Sequence, residues 1–115
     1  MKYQIEKIDE VKVIRLHEKR LDTNIAPDLK TLFLVWIKPD DAHILVDVKD
    51  VVYVDSSGLG AILFGLRQAR EHNGTVKLLS AQKRVRDLIQ IAQLEGTLEH
   101  FVNEDEALQS FYKES

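Results

Sequence analysis

Val54-Asp55-Ser56-Ser57-Gly58-Leu59-Gly60 follows two apolar, β-branched runs, at residues 44–48 and 51–54, and leads into a helix-like segment reaching about His72. A strand feeding directly into a helix places Asp55 and both hydroxyls at the turn between them. The helix start has unpaired backbone N–H groups and the positive end of the helix dipole. Either serine can act as N-cap there, with the glycines forming the turn. The same position suits a negatively charged group, because the exposed N–H groups favour anions.

Working outward, residues 3–8 and 11–16 alternate or nearly alternate apolar with polar side chains on either side of Asp9-Glu10, the pattern of a β-hairpin. Asn24 precedes Ile25-Ala26-Pro27, and proline is tolerated in the first turn of a helix. Ile25, Leu29, Leu32, Phe33, Trp36 and Ile37 then recur at helical spacing as one buried stripe, which Pro39-Asp40-Asp41 ends. Asp40-Asp41 reads as a solvated turn. Residues 43–48 are apolar on both faces, as in a central parallel strand.

The second helix is predicted over residues 58–73, with Leu59, Ile62, Leu63 and Leu66 inward and Asn73-Gly74 at its end. A second stripe of Gly58, Ala61, Gly65 and Ala69 is small enough for close backbone approach. Residues 75–79 make a third strand and residues 82–93 a helix burying Val85, Leu88, Ile89 and Ala92. Residues 98–102 read as a short edge strand. Asn103-Glu104-Asp105-Glu106 has a capping-box pattern, opening a last helix with Ala107, Leu108 and Phe111 inward. The expected architecture is α/β: a mixed β-sheet, built from a hairpin plus parallel strands, with about four helices mainly on one face. The turn at Asp55-Ser56 is then expected at the carboxyl end of a central strand, where open α/β sheets place their sites.

Asp47-Val48-Lys49-Asp50-Val51-Val52-Tyr53-Val54-Asp55-Ser56-Ser57-Gly58-Leu59-Gly60 resembles the signature of the STAS family, the sulphate-transporter and anti-sigma-factor-antagonist domains. That signature is an aliphatic strand, an acidic residue, an Asp-Ser-Ser/Thr-Gly turn and an apolar helix. A second family element, Gly-Glu-Leu-Asp before the first helix, is matched by Leu21 and Asp22, while Lys19 and Arg20 stand where the pattern has Gly and Glu. The resemblance covers nearly the whole chain and implies one STAS domain over residues 1–115. It implies a non-enzymatic, cytoplasmic regulator of transcription of the anti-sigma factor antagonist branch. Its partners would be a GHKL-type serine kinase acting as anti-sigma factor and a PP2C-type phosphatase. Ser56 takes the position of the phosphorylated serine. Asp22, Asp55, Ser57 and Gly58 are the residues of these motifs expected to contribute to partner binding. Phe64, which lies off the Leu59, Ile62, Leu63 and Leu66 stripe of the second helix, is expected to supply the apolar centre of the docking patch. Two other readings stay open: a non-phosphorylated scaffold subunit of a larger complex, and a sensor of nucleotides or small anions.

Composition agrees with this class. The chain has 115 residues, 44% of them hydrophobic and 30% charged, enough for a packed core and unlike a disordered chain. With no cysteine there is neither a disulfide framework nor a thiolate metal site. The net charge of −3 with both signs mixed argues against a general nucleic-acid-binding surface. No apolar run approaches the roughly 20 residues of a membrane span. Nothing supports an enzyme, a cofactor or a metal centre. The four histidines lie far apart, and the turn is neither a nucleophile elbow nor a phosphate-binding loop with its lysine.

Overall fold

The computed structural model describes residues 1–112. Strands β1 (Tyr3–Ile8) and β2 (Val11–Leu16) form the expected hairpin, with Ile8 opposite Val11 and Tyr3 opposite Leu16. Strand β4 (His43–Asp47) lies parallel between β2 and β6 (Thr75–Leu79), and β7 (His100–Phe101) adds a parallel edge. The five-stranded order is therefore β1-β2-β4-β6-β7.

Residue alternation in these strands divides the core. Ile14, Leu16, Ile44, Val46, Val76 and Leu78 face helices α1 (Ala26–Trp36) and α2 (Ser56–Glu71). Val85 and Ile89 of α3 (Lys83–Ile91) join that layer. Val11, Val13, Leu45 and Leu79 point the other way, where Ala107 of α4 (Glu104–Ser110) and Phe111 cover them. β4 is buried on both faces, as its uninterrupted apolar run requires.

Polar groups tie α4 to its face of the sheet. Arg15 donates to Asp47 at 3.0 Å and to Glu104 at 2.7 Å, and it also pairs with Glu6. The guanidinium holds the Glu104 carboxyl below the usual range, against the upward pull of burial. Asn103 caps α4 by accepting from the Glu106 N–H at 2.9 Å.

Several details differ from the sequence reading. Ala92 is exposed, because α3 ends at Ile91 and the chain turns away before another helical turn can bring residue 92 inward. Asp41 is not merely solvated. It pairs with Lys7 at 3.1 Å and with the buried Lys12 at 3.0 Å. Burial would raise its carboxyl pKa, and the two ammonium groups outweigh that and lower it.

His100 accepts a hydrogen bond from the Ala81 N–H at Nε2, 2.9 Å away, which joins the edge strand to the approach to α3. Partial burial, with the nearby Arg86 charge, pushes its pKa below the ordinary 6.5. The denatured chain therefore binds a proton first as pH falls. The stability that neutral His100 contributes is present above about 6.5 and is lost as pH drops from there through the folded-state value. Asp41 and Glu104 act in a lower window, beneath their unfolded values of 3.8 and 4.5. Urea midpoints measured across the mildly acidic range should fall in the native chain. They should fall less in His100→Gln, whose amide oxygen can still accept from Ala81; parallel curves would contradict this.

Candidate functional site

The chain between β4 and α2 does not continue as a central strand. Val48 and Val51 are buried, and Tyr53–Val54 form a two-residue strand, β5, paired in parallel with β3 (Arg20–Leu21). These two strands make a separate ribbon beside the main sheet. The expectation that Asp55-Ser56 ends a central strand is therefore corrected: the turn ends a ribbon strand, and its position is set by that ribbon. The Asp55 N–H donates to the Leu21 carbonyl at 3.2 Å, which carries the pairing one step past β5.

Helix α2 begins at Ser56, two residues earlier than the periodicity suggests. Its N-cap is Asp55, whose carboxylate accepts from the Gly58 N–H at 2.9 Å. Neither serine caps. A carboxylate one residue earlier reaches the third helical N–H and also complements the helix dipole, so it displaces the hydroxyls from that role. Gly58 is not a turn residue either. It is buried within α2, and a Cβ there would overlap the Leu21 carbonyl oxygen. Its lack of a side chain lets helix and ribbon touch, so it shapes the site from beneath rather than presenting a surface.

The two serines differ in surroundings. Thr23 Oγ1 lies 3.3 Å from Ser57 Oγ, and the threonine hydroxyl also reaches Asp55 Oδ2 at 3.5 Å. Ser56 is exposed at the first position of the helix, and its hydroxyl makes no hydrogen bond among the described residues.

Asp22 lies on the loop from β3 to α1. Its Oδ1 accepts from the Asn24 N–H at 3.0 Å and its carbonyl accepts from the N–H groups of Ile25 and Ala26. α1 thus starts without a side-chain cap at Ile25, its first donors held by Asp22 instead. Arg20 Nε donates to Asp22 Oδ2 at 3.3 Å, and the guanidinium carbon lies 4.2 Å from the centre of the Tyr53 ring. Desolvation raises the Asp22 carboxyl, but Arg20 and the N–H groups of Asn24 and Ile25 prevail and lower it.

Phe64 is half-buried on α2, and Lys30 Nζ lies 5.9 Å from the centre of its ring. It lines a groove of about 430 Å³ that runs between α1 and α2 from the start of α2 past its middle, together with Pro27, Lys30, Ser57, Gly60 and Arg67. Leu34, on the outer side of α1, is exposed. The structure thus brings Asp22, Asp55, Ser56, Ser57 and Phe64 to one end of the α1/α2 layer, with Gly58 beneath them. Sequence reasoning missed Thr23, Lys30, Arg67 and Tyr53. Thr23 follows Asp22 directly. Lys30 and Arg67 lie four and three residues from Ala26 and Phe64, so helical spacing was the available signal once Phe64 had been singled out.

The chain matches the family model described as the STAS domain over residues 2–107. An anti-sigma-factor antagonist (STAS) domain protein of Planctomyces limnophilus superimposes with a TM-score of 0.85 at 18% identity, over 96% of this chain and 97% of that one. The phosphorylated form of the Bacillus cell fate determinant SpoIIAA gives 0.71 at 24% identity, over 95% and 98%. The murine anion transporter Slc26a9 gives 0.78 at 14% identity, with 94% of this chain matching 18% of the transporter. At these identities the likenesses establish a shared fold alone. The extent of the family match, with the Asp55-Ser56-Ser57-Gly58 turn at its centre, shows that this chain belongs to the STAS domain family.

Proposed function

We propose that the chain acts as one STAS domain, an anti-sigma factor antagonist in the cytoplasm whose partner binding is switched by phosphorylation of Ser56. The observation that carries this reading is the contrast between the two serines. Ser56 is an exposed, unengaged hydroxyl on the first residue of a helix, while Ser57 is tied to Thr23. In the unphosphorylated state the domain binds a GHKL-type serine kinase that acts as anti-sigma factor, which then releases its sigma factor. The kinase supplies ATP and magnesium and places a phosphoryl group on Ser56. A PP2C-type phosphatase removes it. The domain is a switch component rather than a catalyst, and no direct nucleic-acid contact is part of its role.

Docking would centre on the groove between α1 and α2. Phe64 supplies its apolar centre, and Lys30 and Arg67 provide cations at its border. Asp22, Asp55 and Ser57 form the adjoining polar edge, with Gly58 supporting it from below. Interfaces of this kind depend on a few buried aromatic or aliphatic anchors. Phe64→Ala should therefore weaken kinase binding at least about tenfold, roughly 1.4 kcal/mol. Because Phe64 is only half-buried, the melting temperature should move by no more than about 5 °C. Calorimetric titration with the kinase, alongside a thermal scan, checks both. Unchanged affinity, or a collapse in melting temperature, would remove Phe64 from the docking surface.

A further inference from the structure

Arg20 occupies a position where the family pattern has an acidic residue, and its placement gives it a task at the switch. Its side chain is 58% exposed, stacked on Tyr53 and held to Asp22 through Nε alone. The parallel register sets Arg20 beside Tyr53 and Leu21 beside Val54. One step further, Asp22 stands beside Asp55, immediately before Ser56. The guanidinium is held between the Tyr53 ring and Asp22, and so stands at the corner where the ribbon leads into Asp55 and Ser56. Resting on the reading that Ser56 is phosphorylated, we propose that Arg20 is the internal receiver of that phosphate. On phosphorylation its guanidinium leaves Asp22 for the phosphate and uncovers the Asp22 carboxylate.

The electrostatics favour the exchange. A phosphoserine brings about −1.5 to −2 charges and three strong acceptor oxygens. Placed at Ser56 it adjoins Asp55 and, across the ribbon, Asp22. The Gly58 N–H at the helix start is already taken by Asp55. A guanidinium binds phosphate through two parallel N–H donors, whereas its present contact to Asp22 is a single one of 3.3 Å. The Tyr53 face keeps the cation nearby during the change of partner. A glutamate at position 20 would instead add a third carboxylate to the same corner. The switch then alters the docking edge twice, by adding the phosphate and by stripping the cation from Asp22.

The test uses the full chain with phosphoserine inserted at position 56 during synthesis. Phosphorus NMR then follows the second ionisation of the phosphate, and carboxyl-carbon NMR follows Asp22. With Arg20 present, the phosphate should ionise at a pH about 0.5 unit lower than in Arg20→Gln. The Asp22 carboxyl should move up towards its ordinary range relative to the unphosphorylated chain. Arg20 is exposed, so Arg20→Gln is expected to fold, which circular dichroism confirms. Identical phosphate titrations in the two chains, or a shift that disappears in Lys30→Gln instead, would overturn the proposal. Because the phosphate is installed without a kinase, this result is separate from whether a kinase modifies Ser56, which has its own test.

Discussion

Gly65→Leu is expected to destabilise the domain by about 3 kcal/mol or more, the upper end of the cost of overpacking a core. Gly65 is buried in α2 against α1, and even a Cβ there would lie 2.6 Å from the Cδ2 and Cε2 atoms of Phe33. Phe33 is fully buried, so its ring cannot swing aside. Glycine inside a helix costs about 1 kcal/mol relative to alanine, and the contact with Phe33 explains why it is present. Gly60 in the same helix is the control, because nothing lies within 4 Å of a Cβ placed there. Gly60→Ala should stabilise by up to about 1 kcal/mol. Denaturant unfolding of the two variants should show shifts of opposite sign. A neutral Gly65→Leu would mean that the two helices do not meet closely.

Ser56→Asp should weaken binding to the kinase by roughly thirtyfold, about 2 kcal/mol, and the phosphorylated chain by more. An interface formed around a neutral hydroxyl must desolvate the added charge beside Asp55 and Asp22, and like charges oppose it. Ser56→Ala, by contrast, should bind without being switched off. Its stability should remain within about 0.5 kcal/mol of the native chain, since the cap of α2 is Asp55 and not the serine. Surface plasmon resonance with the kinase, paired with urea unfolding, separates the two effects. Equal affinity of Ser56→Asp and the native chain would contradict the switch.

The main sheet was readable because four of its five strands, β1, β2, β4 and β6, carry five or six residues of strand pattern, and the helices packed on it repeat over several turns. The hairpin of β1 and β2 pairs residue by residue across the Asp9-Glu10 turn, as the near-alternation of its two strands suggests. β3 and β5 were not readable as a pair, because two residues contain no period and their partner lies over thirty positions away. That loss matters, since the ribbon rather than the central strand positions Asp55. Local chemistry narrowed the helix start but gave the cap to a serine where Asp55 takes it, because serine and aspartate are near-equal caps and only backbone geometry decides between them. The small stripe was visible at Gly58 and Gly65, but only the fold reveals that one faces the Leu21 carbonyl and the other the Phe33 ring. The pairing of Asp41 with Lys7 and Lys12 was likewise hidden, since it joins a turn to the hairpin across long separations.

The most direct test of the switch is to incubate the chain with its cognate kinase and ATP and to map the modified residue by mass spectrometry. One phosphate on Ser56, with Ser57 unmodified, is expected. Phosphate chiefly on Ser57, or on neither serine while the kinase is active, would contradict it.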